Sequence, residues 1–201
     1  MNEIFIKLKS LNWLYFFLVS FLSFVGIVMI YSATSAMEIN IFFNHIMKVF
    51  FGLTVMIIIS LIDIEFWKKN AFYFYLVFLI LLFWASLYGH IGKGSRRWIE
   101  ISGFYFQPSE FMKIFIILSL AKFFDEKKVK DPGDYFFLIL PILIVLLPVG
   151  LILRQPDLGT ASIILFICFL IFFIAGLSWK FFASIGFLML MIAPYLWSLL
   201  K

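Results

Sequence analysis

The chain has 201 residues, of which 65% are hydrophobic and 13% charged, and it carries a formal net charge of +5. Soluble domains hold about 45–50% apolar and about 25% charged residues, so this composition excludes a water-soluble globular domain and points to a membrane protein. The positive excess is divided among short polar stretches and gives no reason to expect a nucleic-acid partner. The single cysteine, Cys168, excludes an intrachain disulfide and a CxxC metal site.

Polar stretches separate seven apolar blocks, at 13–32, 44–62, 71–88, 108–124, 135–153, 158–176 and 181–200. Each is long enough, at about 1.5 Å per residue, to cross a hydrocarbon layer of about 30 Å. The expected fold class is all-α, a polytopic integral membrane bundle of seven transmembrane helices in one domain, 1–201. Barrel strands would be about ten residues long and would alternate in polarity, which these blocks do not. The first block runs uncharged from Leu11 to Met37, too long for a signal-peptide core of about 7–15 residues, and is taken as a helix. Trp67, Trp84, Trp179 and Trp197 fall near block ends, where indole rings anchor at the membrane interface.

Seven crossings put the amino end and the 63–70, 121–134 and 177–180 segments on one side. That side holds Lys7, Lys9, Lys68, Lys69, Lys122, Lys127, Lys128, Lys130 and Lys180. The other side holds Lys48, Lys93, Arg96, Arg97, Arg154 and Lys201. The positive-inside bias makes the first side, with the amino terminus, cytoplasmic. The segment 125–134, DEKKVKDPGD, is then a cytoplasmic turn and 89–107 an outer loop.

The outer loop carries Gly89, Gly92, Gly94 and Gly103 with Lys93, Arg96 and Arg97 among them. Guanidinium forks beside flexible backbone suit an anion with phosphate oxygens. The spacing does not fit GxxxxGK[ST], which argues against a nucleotide P-loop. Two interpretations stay open here: a specific anion site, or a loop whose arginines touch anionic lipid headgroups.

Two Gln-Pro motifs follow, 48 residues apart: Gln107-Pro108-Ser109-Glu110 with Lys113, and Gln155-Pro156-Asp157-Leu158-Gly159-Thr160 after Arg154. Each opens a helix directed inward from the outer face. Pro108 suits a first helical position, and Glu110 falls in the first turn, against the positive end of the helix dipole. Lys113 lies one turn on, within reach of Glu110. The pair either fixes helix packing alone or forms a wall of a charged cavity. If the fourth and sixth helices are neighbours, Glu110, Lys113 and Asp157 line one polar cavity, with Arg154, Arg96 and Arg97 at its mouth.

In this order Gly94-Ser95-Arg96-Arg97-Trp98-Ile99, the QPSE motif with Lys113, and QPDLGT resemble the SEDS family (shape, elongation, division and sporulation), over essentially the whole chain from the first helix onward. The Gly176-Leu177-Ser178-Trp179-Lys180 turn is most similar to the rod-shape members, with the division proteins as near relatives. The resemblance implies a multi-pass enzyme of the bacterial inner membrane. Such an enzyme is a peptidoglycan glycosyltransferase that polymerises lipid II, an undecaprenyl-diphosphate-linked disaccharide peptide, during elongation and rod-shape maintenance. Its implied partner is a class B penicillin-binding protein transpeptidase, with membrane lipids around it. Glu110, Lys113 and Asp157 are expected to shape and tune the cavity; Lys93, Arg96, Arg97, Trp98, Gln107, Arg154 and Gln155 are the substrate-binding candidates. No cofactor is demanded, and a divalent cation, Mg or Mn, bridging phosphate oxygens is left open.

Family members run to ten helices, and a large outer loop after the seventh bears the acidic residue thought to act as base. This chain is therefore expected to be the amino-terminal part and inactive alone. Two rival functions are a lipid II flippase and a noncatalytic scaffold for a transpeptidase. Charges gathered on the outer side favour glycosyl transfer over transport, since a transport path would continue to the cytoplasmic face.

Overall fold

The computed structural model describes residues 9, 11–34, 39–92, 95–101, 104–127, 135–187 and 191. Backbone contacts gather into two compact units, Met1–Phe66 and Trp67–Lys201.

The first unit holds α1 (Trp13–Thr34) and α2 (Ile39–Ser60), which pack on each other with Tyr31 edge-on to Phe42 at 5.2 Å. No residue of α1 is buried, an arrangement that lipid tolerates and water does not. The hydroxyls of Ser23, Thr34, Thr54 and Ser60 donate to carbonyls three or four residues back. Their donors are thereby satisfied inside the helix, as an apolar surrounding requires.

The second unit is built from α3 (Ile64–Tyr88, from Trp67 onward), β1 (His90–Gly92), β2 (Ser95–Ile101), β3 (Phe104–Phe106), α4 (Pro108–Glu126), α5 (Tyr135–Arg154) and α6 (Leu158–Ile174). Residues 179–187 are again helical. Helix α4 occupies the middle, packing on both α5 and α6. It holds Met112, Ile116 and Leu120, which with Leu82, Ile152 and Ile164 are the largest hydrophobic side chains removed from contact with the surroundings. Helix α4 carries Glu110, Lys113, Lys122, Asp125 and Glu126, and a helix with that charge is better placed among other helices than against acyl chains.

Helix α3 is joined to this core by four side-chain bonds to backbone carbonyls, one of them from Lys122 Nζ to Lys69 O at 2.9 Å. Ser119 Oγ donates to Ala71 O at 3.3 Å, Tyr75 Oη to Ile144 O at 3.1 Å, and Gln155 Nε2 to Leu82 O at 3.2 Å. The Tyr75 bond has a specific cause. The Ile144 carbonyl would accept from the residue four positions on, which is Pro148, and proline has no N–H to give. Tyr75 supplies the missing donor from the neighbouring helix. Stacked Phe74–Phe115 and Phe78–Phe115 pairs, at 5.2 and 4.7 Å, pack across the α3–α4 contact.

The structure departs from the sequence expectation in three places. The stretch 63–70, expected as a cytoplasmic loop, is helical from Ile64. Hydropathy marks only the lipid-embedded part of a helix, and here the helix continues into water as IEFWKKN; the same holds for Asp125 and Glu126, which are the last turn of α4 rather than loop. The stretch 89–107, expected as an outer loop, has regular structure over most of its described residues. It folds as a three-stranded antiparallel sheet in the order β1-β2-β3, with Gly92 opposite Ser95 and Ile101 opposite Phe104. Five other helices begin and end within about five residues of expectation; the block 181–200 is helical from 179, and its far end lies outside the described residues. Four helices, Trp13–Thr34, Phe42–Ser60, Ile64–Tyr88 and Phe137–Arg154, are long and apolar enough to cross a membrane on those two criteria, making this a multi-pass membrane protein.

Candidate functional site

The site is assembled where α3 hands over to the sheet and the sheet to α4. Gly89 ends α3, its N–H donating to Ala85 O at 2.9 Å. A methyl at Gly89 would overlap that same carbonyl oxygen, so only glycine lets β1 leave the helix at this angle. In β2, successive side chains point to opposite faces, which separates the adjacent Arg96 and Arg97. Arg96 is exposed and donates from Nη1 to Leu87 O at 2.9 Å. Arg97 turns the other way, toward the α5–α6 turn.

Arg97 makes three contacts there. Nε donates to Gln155 O at 3.1 Å, Nη2 to Pro156 O at 2.9 Å, and Nη1 lies 3.1 Å from Asp157 Oδ2. The two carbonyls lie just past the end of α5, where the partial negative charge of the helix dipole collects. The turn bends sharply, with φ of 24° at Pro156, a value the pyrrolidine ring disfavours. Contacts from outside the turn are what hold such a backbone in place.

Asp157 is the N-cap of α6. Its Oδ1 accepts from Thr160 N–H at 3.0 Å and its Oδ2 from Thr160 Oγ1 at 2.9 Å. An aspartate at this position satisfies one of the donors left over at a helix start. With Arg97 added, both carboxylate oxygens are engaged. Gln155 is buried, its side chain tied to α3 through Leu82 O and its carbonyl to Arg97.

Glu110 and Lys113 form the pair that the spacing predicts. Lys113 Nζ donates to both carboxylate oxygens, at 3.0 and 2.9 Å. Among the described residues neither touches the Arg97–Asp157 group, although α4 and α6 are neighbours and β2 packs on α4. The condition set for a shared cavity, that these two helices be neighbours, is met, while the acids form two separate ion pairs. Gln107 bonds locally to Ser109 Oγ at 3.0 Å. Trp98 is half-buried opposite His90 in the sheet, Arg154 is exposed at the end of α5, and Lys93 lies outside the described residues. Among the described residues no three His, Cys, Asp or Glu side chains gather in a way that could hold a metal ion. Thus no residue is assigned to the Mg or Mn cation left open by the sequence.

Sequence reasoning missed Thr160, Tyr75 and Ser119. Thr160 had a signal, since Asp followed three positions later by Thr at a helix start is a capping pattern. Tyr75 and Ser119 had none, because each acts on a carbonyl of another helix.

The sequence profile of the cell cycle protein family FTSW_RODA_SPOVE matches residues 12–201. The chain belongs to this family. It is 29% identical over 179 residues to the peptidoglycan glycosyltransferase MrdB of Escherichia coli K12, covering 85% of this chain and 47% of that protein. To the stage V sporulation protein E of Bacillus subtilis it is 31% identical, covering 81% and 47%. To the peptidoglycan glycosyltransferase RodA of Treponema pallidum it is 35% identical, covering 77% and 36%. The fold matches a chain of a peptidoglycan synthase complex coordinating polymerization and crosslinking, with a TM-score of 0.85 and 28% identity over 96% of this chain and 56% of that one. It also matches the rod shape determining protein RodA of Thermus thermophilus, with a TM-score of 0.77 and 28% identity over 91% and 60%. The chain thus spans between 36% and 47% of the length of these curated relatives.

Proposed function

We propose that the protein serves peptidoglycan glycosyl transfer, the polymerisation of lipid II into glycan strands during cell elongation, in the bacterial inner membrane with its amino terminus cytoplasmic. The observation that carries this is the gathering of both Gln-Pro motifs and the paired arginines at one end of the packed helices α4, α5 and α6. Relatives named as peptidoglycan glycosyltransferases, and the solved synthase complex, support the same reading.

In such a reaction the 4-hydroxyl of one sugar attacks the anomeric carbon of a second. The bond from that carbon to the lipid diphosphate breaks, and the hydroxyl proton passes to a base. The leaving diphosphate needs cationic donors already in place. Arg96 and Arg154, both exposed, supply guanidinium groups for it, with Lys93 and Trp98 on the same outer segment and Gln107 at the start of α4; Gln155, buried with its amide donating to Leu82 O, is not assigned to the anion. Glu110 and Asp157 are not assigned as the base, because each carboxylate already accepts from fixed donors on both oxygens. They shape the charged walls. A class B penicillin-binding protein transpeptidase is the proposed partner.

The test is a hybrid in which this chain replaces the matching part of the Escherichia coli enzyme. Placed in liposomes with labelled lipid II and the transpeptidase, it is expected to form glycan strands, and Arg96→Gln to slow that synthesis by about tenfold. Lipid II crossing the bilayer without polymerisation would assign a flippase instead. Assembly with the transpeptidase and neither activity would assign a scaffold.

A further inference from the structure

Arg97 is among the expected diphosphate contacts, yet most of its donors are engaged elsewhere. A guanidinium has five N–H bonds in a fixed plane. Three of those of Arg97 point at Gln155 O, Pro156 O and Asp157 Oδ2, all in the turn between α5 and α6. Its neighbour Arg96 is exposed and makes one bond, to the end of its own preceding helix. The pleat of β2 therefore divides the two arginines between two tasks.

We infer that Arg97 is a positioning residue: it fastens the outer sheet to the α5–α6 turn and sets the orientation of the Asp157 carboxylate, leaving the anion to Arg96 and Arg154. The inference rests on the proposed glycosyl transfer only for what Asp157 is positioned to do. The clamp itself is a property of the fold. Lysine cannot replace it, since a single ammonium cannot reach two carbonyls and a carboxylate in one plane. Asp157 answers from the other side by capping α6 through Thr160, so disturbing Arg97 is transmitted to the first turn of that helix.

Three readouts on the full chain in lipid nanodiscs test this. Arg97→Gln and Arg97→Lys are both expected to speed hydrogen exchange at the Thr160 amide by about tenfold or more, the loss expected when a charged hydrogen-bond partner is withdrawn. Both should also shift the infrared carboxylate band of Asp157, identified as the band lost in Asp157→Asn. Tyr75→Phe, which disturbs packing at a distance, should leave that band in place. Binding of undecaprenyl diphosphate is expected to weaken less in Arg97→Gln than in Arg96→Gln.

Unchanged Thr160 exchange and an unmoved band in both Arg97 variants would overturn the inference, as would equal losses of undecaprenyl diphosphate binding at positions 96 and 97. Should Arg97→Gln and Arg97→Lys fail to fold, Asp157→Asn is expected to speed exchange along β2, and no change there overturns the clamp. If the unsubstituted chain binds no undecaprenyl diphosphate, the proposed function fails while the exchange and infrared readouts still decide the role of Arg97.

Discussion

Two groups of charges occupy different ends of the α3–α4 pair, and they are built differently. At the sheet end, Arg97 and Asp157 have side chains only 26% and 11% exposed; both carboxylate oxygens also accept from Thr160, and Arg97 donates from two further nitrogens to carbonyls. At the far end, Lys68 meets Asp125 at 2.6 Å with side chains 42% and 61% exposed, and Lys122 reaches Lys69 O at 2.9 Å and Glu126 at 3.9 Å. A half-buried pair with extra hydrogen bonds fixes the elements that carry it, because breaking it strands a charge away from water. An exposed pair trades its partner for solvent at little cost. The contrast shows which charges hold a shape and which only mark where a helix leaves the membrane.

The largest effect should follow from breaking the inner pair. Asp157→Ala removes both the partner of Arg97 and the cap of α6, and is expected to destabilise the second unit by about 3–5 kcal/mol in detergent unfolding curves. A loss under about 1 kcal/mol would place this pair in the same class as Lys68–Asp125. Next comes the Tyr75 bond. Tyr75→Phe is expected to cost about 1–2 kcal/mol by leaving the Ile144 carbonyl unpaired. In a Pro148→Ala background that cost should shrink toward zero, since an alanine there can donate the N–H that Pro148 lacks. Equal costs in both backgrounds, measured as a double-mutant cycle, would break the argument that the proline creates the need for the tyrosine. The smallest effect belongs to Lys68→Ala, at most about 1 kcal/mol and fading as salt is raised.

Much of the fold could be read along the chain because its causes are local. Seven apolar blocks announce helices wherever the surroundings are lipid, and the Glu110–Lys113 pair follows from one-turn spacing on a single helix. Gln-Pro at a helix start is equally local, and so is the capping of α6 by Asp157. The sheet was not legible: strands β1 and β3 have three residues each, too short for alternation to show, and glycines between them look like any loop.

What the sequence determined by itself was the family, the membrane class, the positions of most helices and the short-range ion pair, since each depends on composition, on short motifs in a fixed order, or on residues within a turn of each other. Only the tertiary structure decided that Arg97 and Arg96 part company, that Asp157 answers to Arg97 rather than to Lys113, and that Tyr75 completes a bond Pro148 cannot make. Those contacts join residues 58, 60 and 69 positions apart, and such partners are set by how the sheet and helices pack, which no local pattern encodes.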